Sequence, residues 1–111
     1  MFISYGDFEK IDIRTGTIIE VNNFPEARKP AYKITIDFGK EVGVRRSSAQ
    51  ITSLYKREDL LGKQIIAVVN FPVKKIGSFS SEVLVLGVKN EENNVILLSC
   101  DKKIENGSKI F

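Results

Sequence analysis

Residues 12–62 read DIRTGTIIEVNNFPEARKPAYKITIDFGKEVGVRRSSAQITSLYKREDLLG, and the rhythm of this stretch decides the fold. Tyr32, Ile34, Ile36 and Phe38 alternate with Lys33, Thr35 and Asp37. That period of two puts one row of side chains inside and the other in water, as in a half-exposed antiparallel strand. Upstream, Ile11, Ile13, Thr15, Thr17, Ile19 and Val21 make the odd-numbered row of a longer strand over 11–23, in which Gly16 predicts a bend or bulge. Pro25 and Pro30 each remove an amide donor, so 24–30 is predicted to be a joint outside any ladder. Gly39 and Lys40 supply a turn, and residues 42–48 return as a third strand. Ile51, Leu54, Tyr55, Leu60 and Leu61 then fall near helical spacing, with a stop at Gly62.

The same punctuation continues on either side. Residues 3–10 suit a short N-terminal helix or arm, with Ser4 as N-cap and Phe8 as anchor. Apolar strands are expected at 65–69, 82–88 and 95–100, and the run NEENN at 90–94 makes an exposed turn between the last two. Six short strands around one small helix predict an all-β Greek-key barrel, formed as a single domain over 1–111. Periodicity leaves two barrels open, the OB type and the SH3-like type.

Composition narrows the function. No apolar run approaches the roughly 20 residues of a membrane span, so no membrane insertion is expected. The N-terminus MFISYGDFEK lacks a basic segment followed by a long apolar one, and the expected location is the cytoplasm. The chain has no histidine, which removes the commonest general base, the commonest metal ligand and every histidine-activated nucleophile together. Its one cysteine, Cys100, excludes an internal disulfide and a thiolate zinc cluster and is expected to be a small core residue. Asp12 and Arg14 are expected to pair or to cap a turn. No catalytic residue, metal or cofactor is expected, and the chain reads as a binder.

The net charge of +3 is unevenly spread. Residues 28–46 hold six basic side chains against two acidic ones, and residues 63–79 hold three against none. If these segments meet they form one cationic face suited to a polyanion; the alternative is ordinary solvated lysine. The basic candidates are Arg28 and Lys29 in the proline-bounded joint, Lys33 on the second strand, Arg45 and Arg46 on the third, and Lys74 and Lys75 after the fourth. Ser47 and Ser81 lie just past the ends of these segments and could reach phosphate or ribose oxygens, while Ser78 and Ser80 read as turn formers. A second candidate surface is apolar: Phe24, Tyr32, Phe71, Pro72, Ile76 and Phe79 cluster around the same loops. They could hold an extended peptide, complete a dimer, stack on unpaired bases or fill the core.

The segments DIRTGTI, FPEARKP, YKITIDFG, RRSSAQIT and NFPVKKIGSFSSEVLVLG together resemble the tRNA-binding-domain OB fold, in particular the CsaA family of export-related chaperones. The resemblance spans nearly the whole chain. It implies an OB-fold barrel with a short helix between strands 3 and 4 and C-terminal additions, and in that fold strands 2 and 3 with their flanking loops bind oligonucleotides. It also implies that Ser47 and Ser81 lie at the nucleic-acid face. The expected function is a homodimeric, ATP-independent chaperone for unfolded or export-destined polypeptides that also binds tRNA or another structured RNA, with a protein-export motor as a further partner. The alternative is a dedicated RNA-binding module. Pro25-Glu26-Ala27-Arg28, Ser48-Ala49 and Val83-Leu84 depart from the broader tRNA-binding pattern and match the CsaA one, which implies generic rather than structure-specific RNA affinity.

Overall fold

The computed structural model describes residues 1–111. In chain order the elements are α1 (Tyr5–Glu9), β1 (Ile13–Asn23), β2 (Tyr32–Asp37), α2 (Gly39–Val42), β3 (Val44–Ala49), α3 (Arg57–Leu60), β4 (Gln64–Val68), β5 (Lys74–Ile76), β6 (Phe79–Ser81), β7 (Leu84–Val85), β8 (Gly87–Lys89) and β9 (Val95–Leu97). Five strands form one antiparallel sheet in the order β3-β2-β1-β4-β7. The far edge of β3 curls back to the segment before β7: the Glu82 amide donates to the Arg46 carbonyl at 2.8 Å, and the Ser47 hydroxyl donates to the Val83 carbonyl at 2.9 Å. The result is a nearly closed, all-β barrel of the OB type.

β2 keeps its alternation throughout, burying Tyr32, Ile34 and Ile36. β1 does not. A bulge at Ile19 breaks the register with β2, so Ile18 faces Ile36 and Glu20 faces Thr35. Ahead of the bulge the even-numbered row faces the core, with Ile18 fully buried; beyond it Val21 packs there, and Ile19 is left 48% exposed. The odd-numbered face expected for the whole strand is therefore corrected over its first half, where Ile11 is exposed as well. Gly16 lies on the core side for want of space, not for bending: a Cβ there would sit 2.7 Å from Ile36 Cγ2 and Phe38 Cδ1.

Three further expectations change. The turn at Gly39 is a short helix, and both Gly39 and Gly43 take positive φ. The helix expected over 51–61 shrinks to Arg57–Leu60, because Lys56 is extended and the Tyr55 carbonyl accepts from the Tyr32 hydroxyl instead of from a helical amide. Ile51 and Leu60 are still buried in the core. Strand 82–88 divides: Leu84 and Val85 pair with β4, while Gly87–Lys89 turns away to pair with β9. The hairpin β5–β6 stands where a loop was expected.

The N-terminus adds a capped helix, and the C-terminus covers the part of β1 that β2 leaves unpaired. Ser4 caps α1 as expected, its hydroxyl accepting from the Asp7 amide at 3.0 Å while the Asp7 carboxylate accepts from the Ser4 amide. After β9 the chain returns along β1, where the Thr15 amide donates to Ser108, and the Gly107 and Ile110 amides donate to Thr15 and Ile13. This is the C-terminal strand extension, and it covers the side of β1 that carries Thr15, which is 1% exposed. Cys100 is half-buried rather than a core residue. No helix is long and apolar enough to cross a membrane.

Candidate nucleic-acid interface

A second, smaller apolar cluster lies outside the barrel. Lys33, Thr35 and Arg46 point away from the core, since their neighbours Ile34, Ile36 and Ser47 point into it. On that outer face Phe24 from the 24–30 joint meets Phe79 from β6, with ring centroids 5.3 Å apart, and Ala27, Ala31 and Ile76 pack around them. Lys33 Nζ sits 5.4 Å from the Phe24 centroid, and the Arg46 guanidinium sits 4.5 Å from that of Phe79. Such contacts contribute about 0.5–1 kcal/mol each at exposed sites and hold the cation without neutralising it.

This cluster is what brings the two basic segments together. Ala27 carries Arg28 and Lys29 with it; Ile76 and Phe79 carry the β5–β6 hairpin with Lys74 and Lys75. Arg28, Lys29, Lys74 and Lys75 are exposed. None of these cations, nor Lys33 or Arg46, lies within ion-pair distance of a carboxylate; the protein's ion pairs are Lys10 with Asp7, and Arg14 with Asp12 and Glu41. Lys75 Nζ donates to the Ser80 hydroxyl at 2.7 Å. The face thus offers unneutralised donors to an anion.

Other expected residues fall elsewhere. Arg45 alternates with Arg46 and points to the opposite side of β3, where its Nε donates to the Val42 carbonyl at 3.2 Å. Ser47 is 1% exposed, and its hydroxyl is committed to Val83, so it closes the barrel and presents nothing to the surface. Ser81 is half-buried and its Oγ accepts from the Ser48 amide at 3.1 Å. Phe24, Tyr32 and Phe79 are buried, which removes them from an exposed apolar surface. Phe71 and Pro72 are exposed, and Ile76 is half-buried against the Phe24–Phe79 pair.

Beside the cationic face, along the edge of β3 where residues 81–83 bond to it, lies a hollow of about 380 Å³ lined by residues that include Ser48, Gln50, Phe71, Pro72, Lys74 and Glu82. Sequence reasoning missed Glu82. The only signal was its position next to Ser81, and its role needs the barrel closure: its Oε1 accepts from the Arg46 amide at 3.0 Å.

Arg14, at the opposite end of β1, is the contrasting cation. Its guanidinium contacts Asp12 and Glu41, both at 2.6 Å, and donates to the Gly107 carbonyl. Hydrogen bonding to Asp12, then to Glu41, raises its pKa further above the ordinary arginine value. This site joins β1, α2 and the C-terminal extension, as the expected Asp12–Arg14 pairing partly foresaw.

Comparison with known proteins gives this geometry a family. The model of the putative tRNA-binding domain matches residues 13–109. A solved CsaA chaperone from Picrophilus torridus superposes with a TM-score of 0.93 at 55% identity, covering 99% of this chain and 100% of that one. The chain belongs to the CsaA branch of the tRNA-binding-domain family. A CsaA chaperone from Bacillus anthracis matches equally well in shape, with a TM-score of 0.93 at 49% identity over the full length of both chains. Methionine–tRNA ligases are also related: that of Methanocaldococcus jannaschii is 39% identical over 97% of this chain, and that of Pyrococcus horikoshii is 39% identical over 98% of it. The chain spans only 16% and 14% of those ligases, so the kinship is with one domain of each. Within the family, this chain's cationic face lies on the β2–β3 surface and adjoining loops where OB folds bind oligonucleotides.

Proposed function

We propose that this protein binds tRNA or another structured RNA on the outer face of β2 and β3, through Arg28, Lys29, Lys33, Arg46, Lys74 and Lys75. The observation that carries the proposal is the Phe24–Phe79 pair, which gathers cations from four separate segments onto one face, none of them in an ion pair. Such a face binds phosphates by point charge and by counterion release, so affinity should fall steeply with salt. Residues 1–111 act as one cytoplasmic binding unit, and no chemistry is assigned to it.

A second reading is favoured by the 55% identity to a CsaA chaperone: a homodimer that holds unfolded or export-destined polypeptides without ATP, with an export motor as a downstream partner. Exposed apolar side chains at Met1, Phe2, Ile3 and Tyr5 supply surface that a second subunit could cover. Fluorescence anisotropy of labelled tRNA, titrated at several salt concentrations with an unfolded polypeptide as competitor, separates the two. Tight binding with a steep salt slope and no competition supports the RNA module. Shallow binding that the polypeptide displaces supports the chaperone, and a monomer at micromolar concentration removes the dimer.

A further inference from the structure

The hollow at the edge of β3 combines features that phosphate binding does not require. One wall is the ring of Phe71, 54% exposed, beside Pro72. The other side is polar and incompletely used. Glu82 Oε1 accepts from the Arg46 amide, while its Oε2 has no partner in the protein. Ser81 Oγ accepts from the Ser48 amide, which leaves its own proton to give, and the Gln50 amide makes no internal bond. Lys74 completes the lining and belongs also to the cationic face. A volume of about 380 Å³ lies at the lower end of small-ligand clefts, a size that suits one nucleoside.

We infer that this hollow receives one unpaired nucleobase of the bound RNA, with guanine preferred. The inference rests on the RNA-binding reading above. Phe71 offers a flat face for stacking, which every base accepts. Selection comes from Glu82: guanine presents two adjacent N–H donors to the carboxylate, and its O6 accepts from Ser81 or Gln50. Uracil flanks its single N–H with two carbonyl oxygens, and one of them would face the carboxylate. Lys74 takes the phosphate of the same nucleotide. An extended peptide suits this edge less well, because strand addition needs free amides on β3, and those of Arg46 and Ser48 are already held by Glu82 and Ser81 at 3.0 and 3.1 Å.

The test is anisotropy with a short oligouridine carrying one central guanosine, against an all-uridine strand of equal length, for the wild type, Phe71→Ala and Glu82→Gln. The expected result is a preference for the guanosine strand of about tenfold, within the range for one bidentate base contact. Glu82→Gln keeps an acceptor for the Arg46 amide and should abolish the preference. Phe71→Ala, at an exposed position, should weaken both strands about tenfold with an unchanged salt slope, since no phosphate contact is lost. Equal binding of both strands by the wild type overturns the inference and leaves the RNA-binding reading intact if the salt slope is steep. A preference that survives both substitutions also overturns it. Absence of any RNA binding overturns both. Displacement by an unfolded polypeptide, with no guanosine preference, assigns the hollow to a peptide instead.

Discussion

Arg14 and Arg46 occupy the two ends of the same barrel and differ in what surrounds them. Arg14, whose side chain is 13% exposed, spends its charge internally on two carboxylates and a carbonyl. The Arg46 guanidinium rests on the ring of Phe79 and forms no ion pair, Glu82 being bound to its main-chain amide instead, and so keeps its charge for a partner. An aromatic support positions a cation at little cost to its field, whereas a carboxylate support consumes the field. The chain uses the second device to tie segments together and the first to build a surface.

The contrast can be broken most forcefully on the outer face. Replacing Lys33, Arg46, Lys74 and Lys75 together with alanine should flatten the salt slope of RNA binding by about three to four units, at roughly one unit per lost phosphate contact. Stability should fall by no more than about 1–2 kcal/mol, the two cation–aromatic contacts being lost, and a slope that stays put would show the cations to be bystanders. At the other end the outcomes should reverse. Arg14→Ala should cost about 2–3 kcal/mol in urea unfolding, since charged hydrogen bonds are lost and partly buried Asp12 is left without its partner. RNA affinity should be retained.

Gly16→Ala sharpens the comparison by disturbing the core between the two ends. It should cost about 1–3 kcal/mol through crowding of Ile36 and Phe38, with no change in salt slope. Single substitutions on β3 have a smaller effect. Arg46→Ala should lower the slope by about one unit and Arg45→Ala should leave it unchanged, because adjacent side chains of a strand point to opposite faces. Equal effects would place both arginines on the RNA. The least effect concerns α1, where the Ser4 amide and then the Ser4 hydroxyl hold the Asp7 carboxyl below its ordinary pKa. A depressed carboxyl stabilises the folded state above its unfolded pKa, and that contribution is lost as pH falls through the folded value. Acid should therefore fray α1 first, and by amide exchange Asp7→Asn should remove the pH dependence, whereas Ser4→Ala, which keeps the backbone amide, should only reduce it.

The barrel was legible wherever one residue type made the decision. Alternation in β2 needed only the sequence, because one face is core and the other water. Ser4 was readable as a cap because its partners lie within three residues. The phase of β1 was not readable, since the bulge at Ile19 depends on how β2 pairs with it, and an isoleucine gives no local sign of being the extra residue. At the site, charge counting located the basic segments but could not see that Arg45 and Arg46 diverge. Ser47 failed for a related reason: whether it faces solvent depends on Val83, which lies 36 positions away. For Phe24 and Phe79 the sequence leaves surface and core both open, because each sits in a short connecting segment; only their meeting buries them.

The return of the C-terminal segment along β1 also sets an order of events. Thr15 and Ser108 bond across 93 positions, and Gly107, with φ +87, packs against the Phe38 carbonyl where no other residue would fit. While the chain is being made, β1, β2 and β3 can pair early, yet the Thr15 side of β1 remains an open edge until residues 105–110 have been synthesised. A half-made chain therefore carries an unpaired strand edge, the very feature through which nascent proteins adhere to one another. Residues 105–110 are the ones that hide it.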